Sequence, residues 1–236
     1  MGLRESAAHV FVADLTTPVV DEADRHHLER VLRLRAGEVV TVCDGAGSWR
    51  PCRWLGGGAA EIEAAGDVVV DAALQPLISI GFALTKGDRA EWVVQKLTEL
   101  GVDRILPFAA ARSVVRWDRA TAERHLLRWR RVAREAAMQS RRTLLPMVRD
   151  VVGFVDGIAT GGAAMAEPGG DRLCLDRPTV VVGPEGGWSP EELATGLATV
   201  DLGPGVLRAD TAAVAAGVLL CALRSGAVGS PAGGSV

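Results

Sequence analysis

Short apolar runs and amphipathic stretches alternate along most of the chain. Buried β-strands are predicted at Leu77–Leu84, Val102–Phe108 and Thr179–Val182, because apolar residues are continuous there and glycine or proline bounds each run. Between the first two runs, the valines and leucines of Arg89–Leu100 recur on one face. This spacing predicts an amphipathic helix that ends at Gly101. The order of strand, helix and strand indicates an α/β domain.

Residues 1–72 follow a different pattern and are predicted to form a small β-rich domain. We expect its strands at His9–Ala13, Val39–Cys43 and Arg50–Leu55, with a loose hairpin tip at Gly56–Gly58. The stretch Asp24–Leu34 predicts one short helix. Three apolar residues are expected on one face of that helix, namely Leu28, Val31 and Leu32.

Beyond residue 72, a short link at Ala73–Pro76 leads into a second domain over residues 73–225. A long helix is predicted at Ala120–Ser140 and a short strand at Ala163–Ala166, ending at Glu167 and Pro168. Residues 226–236 are predicted to form a disordered tail, because this stretch has no apolar period.

Two glycine-rich loops follow neighbouring predicted strands near the end of the chain. The first comes after Thr179–Val182 and leads into Ser189, Pro190 and Glu192, which together form a near-complete helix start. The second follows a strand at Val200–Leu202 and precedes a final apolar helix that is expected to start at Asp210. Open α/β sheets bind ligands at such strand ends, so these loops predict a ligand site. Their glycines also allow a plainer interpretation as tight connections.

Charge is distributed unevenly along the chain. The formal net charge is −3, yet residues 104–149 hold twelve arginines and three acidic residues, a local charge of +9. Such a run is consistent with a solvated face. Trp117 and Trp129 lie in the same segment, however, and planar guanidinium groups with aromatic rings suit phosphate and base contacts. Nucleic acid is therefore the predicted partner.

Other classes of protein are disfavoured by composition. No run of eighteen apolar residues occurs, and residues 1–12 lack the long apolar core of a secretory signal. The four cysteines show no zinc-binding spacing, and the adjacent His26 and His27 point apart on a helix. We therefore expect a cytoplasmic protein with reduced thiols, no membrane span and no metal.

Several of these stretches resemble one family, and they occur in the same order. The second domain contains LTKGDRAEWVVQKLTELGVDRILPF, REAAMQSRR, GPEGG and LGPGVLRADTA, and the first contains RHHLERVLRLRAGE followed by CDG. These motifs resemble the RsmE family of SPOUT methyltransferases, the 16S ribosomal RNA uridine-N3 methyltransferases. The resemblance covers roughly residues 9–224. It implies a PUA-like β-barrel domain, followed by a SPOUT domain with a C-terminal trefoil knot that works as a homodimer.

The resemblance also implies S-adenosylmethionine as cofactor, and 16S ribosomal RNA or the assembled small ribosomal subunit as partner. The implied cofactor-binding residues are Gly183, Pro184, Glu185, Gly186, Gly187, Leu202, Gly203, Leu207, Thr211 and Ala212. The implied RNA-binding residues are Arg25, Arg33, Arg112, Arg128, Arg131, Arg134, Gln139 and Arg142. Met138 stands where the family usually has a glutamate, so the role of that carboxylate is open in this chain.

Catalytic roles are predicted from the chemistry of uridine, whose N3 must lose a proton before it is methylated. Arg208 is the candidate for stabilising the resulting anion, in the manner of an oxyanion hole. Asp210 and Glu185 are the candidates for the proton acceptor. Asp210 stands where the family usually has glutamate, and capping of the last helix is its competing structural role.

Two other functions deserve comparison. A doubly wound dinucleotide enzyme would need a GxGxxG turn after its first strand, and this turn is absent from the sequence. A non-catalytic RNA-binding factor for ribosome assembly, with the same fold, would be free to lose the loop glycines that this chain keeps. The methyltransferase is therefore the preferred interpretation.

Overall fold

A computed structural model describes residues 2–56, 62–158 and 162–229. The chain forms two compact units. The first unit contains the residues up to Ala73 together with Arg134–Leu145, and the second contains Leu74–Ala133 and the residues from Pro146 onward. The division falls within one long helix, although the sequence predicts that this whole helix lies in the second domain.

The first unit is built on a five-stranded sheet. Its strands are β1 (Ala8–Phe11), β2 (Val39–Cys43), β3 (Ser48–Trp54), β4 (Ile62–Ala64) and β5 (Val69–Val70). β1 pairs in parallel with β2, and the remaining pairs are antiparallel. The predicted strand Val39–Cys43 is confirmed. Of the predicted hairpin tip, residues 57 and 58 lie outside the described residues.

The helix of the first unit differs from its prediction. The α-helix α1 spans only Glu22–His26 and is capped by Asp21, and a π-helical turn, His27–Val31, follows it. Leu28 is buried, but Val31 and Leu32 are 61% and 45% exposed, so the prediction of one apolar face is wrong. The wider π turn bonds residues five apart and breaks the 3.6-residue period on which that prediction depended.

Residues from the end of the long helix complete the core of the first unit. Ala137 packs in a cluster with Phe11, Cys43 and Trp49. Arg134 forms an ion pair with Asp24 inside the same unit. These contacts explain why Arg134–Leu145 belongs to this unit.

The second unit contains a seven-stranded sheet with the order β12-β10-β11-β6-β7-β8, and β9 also pairs with β7. Its strands are β6 (Ser79–Ala83), β7 (Arg104–Ala109), β8 (Met147–Val148), β9 (Val152–Gly153), β10 (Ala163–Arg172), β11 (Thr179–Val182) and β12 (Ala198–Asp201). All strand pairs in this sheet are parallel. The α/β class of this unit is therefore confirmed.

Four α-helices accompany the sheet in the part of the chain that the structure describes. They are α2 (Arg89–Leu100), α3 (Arg119–Ser140), which continues into the first unit, α4 (Pro190–Leu193) and α5 (Ala209–Arg224). The predicted bounds of α2 are confirmed. α5 packs against α2, and a Cβ on Gly217 would lie 2.7 Å from Leu97 Cδ2. A residue without a side chain is therefore needed for this close helix contact.

β10 is longer than predicted. It continues to Arg172, with a register shift against β12 between Ala166 and Asp171. Glu167 and Pro168 lie within this irregular part. Of the predicted tail, residues 230–236 lie outside the described residues.

Candidate active site

The first glycine-rich loop begins where β11 ends. Gly187 donates its N–H to the carbonyl oxygen of Pro184 at 2.9 Å and has a φ of +69°, which favours glycine. Trp188 follows, is 5% exposed, and stacks on Phe108 with ring centroids 6.1 Å apart. This buried ring anchors the loop to the core of the second unit.

The helix start after this loop has the predicted capping box. Ser189 accepts a hydrogen bond from Glu192 N, and the Glu192 carboxylate accepts one from Ser189 N. The other oxygen of that carboxylate accepts from Ala111 N at 2.8 Å. The predicted N-cap is confirmed, and Glu192 also joins the loop to the segment that follows β7.

The second glycine-rich loop follows β12. Gly203 has a φ of +140° and donates its N–H to Asp201 Oδ1 at 2.9 Å. This hydrogen bond and a second one from Gly169 N hold the pKa of Asp201 below its ordinary value. Val206, at the tip of the loop, is 93% exposed. The loop therefore leaves its backbone edges open to a ligand.

Both loops line one cleft at the carboxyl ends of β11 and β12, beside the irregular middle part of β10. The predicted cofactor-binding residues that line it are Gly183, Pro184, Glu185, Gly187, Leu202, Gly203, Leu207 and Ala212. Glu167 and Pro168 complete one wall. Gly186 and Thr211 do not line the cleft. Its volume is about 190 Å³, less than the roughly 300 Å³ of the smallest pockets that bury a drug-sized ligand, so a larger ligand would extend out of it.

Charged side chains meet beside this cleft. Arg208 donates from Nη2 to Asp210 Oδ2 at 3.0 Å. Arg89, the first residue of α2, donates from Nη1 to Glu185 Oε1 at 3.2 Å, and its Nε lies 3.9 Å from Asp210 Oδ2. The structure thus brings the three predicted catalytic residues together. Sequence reasoning missed Arg89, although its place just after the KGD turn on a strand-to-helix connection was a usable signal.

Asp210 does not have the capping role that was its competing interpretation. The N-cap of α5 is Arg208, without a side-chain cap, and Asp210 is the second residue of the helix. Its Oδ1 accepts from the N–H of Thr211. The capping interpretation is therefore wrong, and the carboxylate lies instead in the first turn, where negative charge stabilises a helix.

Comparisons with known proteins agree with this geometry. Residues 73–220 match the RNA methyltransferase domain family, and residues 20–54 match the RNA methyltransferase PUA domain. The ribosomal RNA small subunit methyltransferase E of Mycobacterium bovis is 35% identical over 221 residues, which cover 84% of this chain and 83% of the relative. The protein of that name from Bacillus subtilis is 29% identical over 243 residues, covering 86% and 91%.

A solved structure is also similar. It is the ribosomal RNA small subunit methyltransferase E from Neisseria gonorrhoeae bound to S-adenosyl methionine, with a TM-score of 0.77 and 27% identity, and the match covers 92% of this chain and 97% of that one. The chain belongs to the ribosomal RNA small subunit methyltransferase E family.

In this member of the methyltransferase E family, the predicted RNA-binding residues differ in their contacts and in their exposure. Arg112 donates from Nη1 to the carbonyl oxygen of Gly186 at 3.3 Å, next to the first glycine-rich loop. Arg128 pairs with Glu91 at 2.8 Å and is 60% exposed. Exposed positions are occupied by Arg33, Arg131 and Gln139, and half-buried positions by Arg25 and Arg142.

Arg134, Trp117 and Trp129 are predicted from the sequence to contact RNA, but their surroundings differ from that prediction. The Arg134 guanidinium pairs with Asp24 and lies 3.3 Å from Asp21, which indicates a structural role in the first unit. Trp129 is 1% exposed inside the core, so base stacking on its ring is ruled out in this conformation. Trp117 is half-buried and stacks on His125 with ring centroids 4.0 Å apart.

The described residues of this family member also bear on membranes and metals. No helix among them is long and apolar enough to cross a lipid bilayer. No group of three or more histidine, cysteine, aspartate or glutamate side chains among them is placed to hold a metal ion.

Proposed function

We propose that this chain transfers a methyl group from S-adenosylmethionine to N3 of a specific uridine in the 16S RNA of the small ribosomal subunit. The observation that carries the proposal is the cleft between two glycine-rich loops with Arg208 beside it. Its relatives are named for small-subunit ribosomal RNA methylation, and the Neisseria relative is bound to S-adenosyl methionine. Such a protein would act in the cytoplasm, where ribosomal subunits are assembled.

The residues of the cleft fit this cofactor. Glycine is required at position 183, because a Cβ there would lie 2.8 Å from the indole ring of Trp188. Glycine is favoured at position 203, because its φ is positive. Both positions therefore present bare backbone. Backbone groups of Gly183, Leu202, Gly203 and Leu207 would hold the adenine. When bound, the cofactor supplies a methyl group that is already activated by its positive sulfur.

The protein must then deprotonate uridine and stabilise the resulting anion. Arg208 is 59% exposed, so its free guanidinium edge is available to a uracil oxygen. Glu185 lines the cleft and is the better candidate for the proton acceptor. Asp210 does not line it, and both of its oxygens are engaged. In this scheme Asp210 orients Arg208.

The transfer balances without another reactant. The N3 proton passes to the Glu185 carboxylate, and the negative charge spreads onto the uracil oxygens beside Arg208. N3 then forms a bond to the methyl carbon, and the electron pair of the broken carbon–sulfur bond stays on sulfur. Alignment of the two reactants accounts for much of the rate, because the methyl group needs little further activation.

The C-terminal knot and the homodimer belong to the same proposal. β10 precedes β11 and β12 in the chain but lies between them in the sheet, and α5 returns to pack on α2, which supports a threaded C-terminal segment. Exposed apolar side chains on α4, on the second glycine-rich loop and on α5 support a second subunit. They are Leu193, Val206, Val218 and Leu219, with exposures between 36% and 93%.

Single-turnover methylation of small-subunit RNA tests this proposal. The product nucleoside would be identified by mass spectrometry, and cofactor binding would be measured separately by calorimetry. Arg208→Ala is expected to slow the chemical step about 10²–10³-fold, the usual cost of one oxyanion-type donor, with a smaller change in cofactor affinity. Glu185→Gln should also slow the step, and Asp210→Asn should slow it less.

Arg177→Ala is the matched control, since Arg177 pairs with Asp171 at 2.8 Å and does not line the cleft. This variant should keep the wild-type rate. Full single-turnover activity in Arg208→Ala would refute the assigned mechanism. Cofactor binding with no methylation of any small-subunit RNA would refute the proposed activity and favour a non-catalytic assembly factor.

A further inference from the structure

Arg89 lies where the two glycine-rich loops meet, although neither loop contains it. Its side chain is 45% exposed, and it donates to Glu185 at 3.2 Å with Asp210 at 3.9 Å on its other edge. Glu185 belongs to the first loop and Asp210 follows the second. One guanidinium group therefore contacts the residues that flank the cleft on two separate segments of the chain.

The topology of the sheet explains this position. β6 pairs in parallel with β11, with Phe82 opposite Val182, so the loops that follow these strands emerge side by side. Gly87 has a φ of +68° in the turn after β6, and α2 begins directly afterwards at Arg89. The first side chain of α2 is thereby directed to the same edge of the sheet as the cleft.

The charges around Arg89 form a balanced group. Two carboxylates, Glu185 and Asp210, pair with two guanidinium groups, Arg89 and Arg208. Asp210 contacts both arginines. Removal of Arg89 would leave Asp210 with Arg208, whereas Glu185 would lose the ion pair that holds it at the edge of the cleft.

We propose that Arg89 is a positioning residue for the methyl-transfer site. It holds the Glu185 carboxylate in place, and through Asp210 it limits the orientations open to Arg208. This inference rests on the proposed function for its catalytic meaning, but the positioning itself can be measured without any ligand. Exposed ion pairs contribute little to global stability, so the effect should appear in the loops and in catalysis rather than in the melting temperature.

Amide hydrogen exchange of the full chain, read by mass spectrometry, provides the measurement that needs no ligand. In Arg89→Ala, peptides that cover residues 183–193 and 205–212 should exchange several-fold faster than in the wild type. Arg89→Lys should lie between them, because it keeps the charge but loses the planar fork. Lys96→Ala is the control, since it removes an ion pair with Glu99 at the other end of the same helix. This control variant should leave the exchange rates of both peptides unchanged.

Kinetics provide the second measurement. Arg89→Ala should lower the single-turnover rate about tenfold at saturating RNA and cofactor, because small misplacements of reacting groups are costly. The combined rate loss of the double variant Arg89→Ala/Glu185→Gln should be smaller than the product of the two single losses, since Arg89 acts in part through that carboxylate. RNA affinity should be unchanged.

Several outcomes would overturn the inference. Unchanged exchange of both peptides in Arg89→Ala would show that Arg89 does not position the loops. Multiplying rate losses in the double variant would show that it acts independently of Glu185. Weaker RNA binding with a normal saturated rate would make Arg89 an RNA contact. If the wild type failed to methylate RNA, the proposed function would fail, and hydrogen exchange would still decide the role of Arg89.

Discussion

Protonation of His9 should destabilise the first unit below neutral pH. His9 is 3% exposed in β1. Its Nε2 lies 3.1 Å from the carbonyl oxygen of Arg142, which can only accept, so Nε2 carries the proton. Nδ1 then accepts from the Thr41 hydroxyl at 2.8 Å. Burial is the main cause that lowers the pKa of His9 to about 4, and the charge of Arg141 lowers it further.

The size of this destabilisation follows from the difference in the pKa of His9 between the folded and unfolded states. The pKa falls from 6.5 to about 4 on folding, and each pKa unit corresponds to about 1.4 kcal/mol, so the full effect is about 3 kcal/mol. The unfolded chain binds the proton first as the pH drops, so the free energy of unfolding decreases from about pH 6.5 down to about pH 4. At pH 5.5 the expected loss in the free energy of unfolding is about 1 kcal/mol relative to pH 8.

Urea unfolding at pH 8 and pH 5.5 measures this loss. Modification of Cys43 and Cys52 reports on the first unit, because both thiols are buried there and burial raises the pKa of each to about 11. His9→Gln keeps a donor and an acceptor but cannot titrate. Between the two pH values its free energy of unfolding should therefore fall by about 1 kcal/mol less than that of the wild type. His26→Gln, at an exposed position, should behave as the wild type. Equal pH dependence in wild type and His9→Gln would refute the reasoning.

Two further predictions concern the cleft and the RNA contacts. Gly186→Val should weaken cofactor binding, because even a Cβ at this position would lie 3.3 Å from Arg112. If calorimetry shows unchanged cofactor affinity in the folded variant, this loop is not part of the cofactor site. Arg128→Gln/Arg131→Gln should weaken RNA binding and reduce the slope of log affinity against log salt by about 0.7 for each lost phosphate contact, whereas Arg177→Gln should leave the slope unchanged. An unaltered slope in the double variant would mean that these arginines do not contact phosphates.

Elements with a complete local signal could be predicted from the sequence. The strands Val39–Cys43 and Thr179–Val182 and the helix Arg89–Leu100 have the predicted bounds. Each is an apolar run or stripe that ends at a helix stop or a turn residue. Ser189 was predictable for the same reason, because a capping box depends only on neighbouring residues.

Features that depend on tertiary contacts could not be predicted in this way. The helix α3 is continuous over Arg119–Ser140, and nothing in its apolar period marks the point where its contacts change from one unit to the other. Trp129 and Arg134 lie five residues apart on this helix. One is buried in the core of the second unit, and the other forms ion pairs in the first. Composition alone made both appear to be candidates for RNA contact.

Met138 contacts an arginine that has acidic partners elsewhere in the first unit. It stands where the resembled family usually has a glutamate, one turn after Arg134, and its sulfur lies 3.4 Å from Arg134 Nη1. The charge of Arg134 is balanced by Asp24 and Asp21 at the start of α1. The arginine therefore keeps acidic partners, although a neutral side chain occupies the neighbouring turn.

The length of the side chain at position 210 bears on the choice of proton acceptor. An aspartate in the first turn of α5 reaches its own helix start, and its two oxygens bond Thr211 N and Arg208. It does not line the cleft, and a glutamate would extend one methylene further. Glu185 already lines the cleft from the opposite loop, with its carboxylate held by Arg89. In the mechanism that we propose, the shorter residue at position 210 therefore orients Arg208, and Glu185 of the first loop removes the proton.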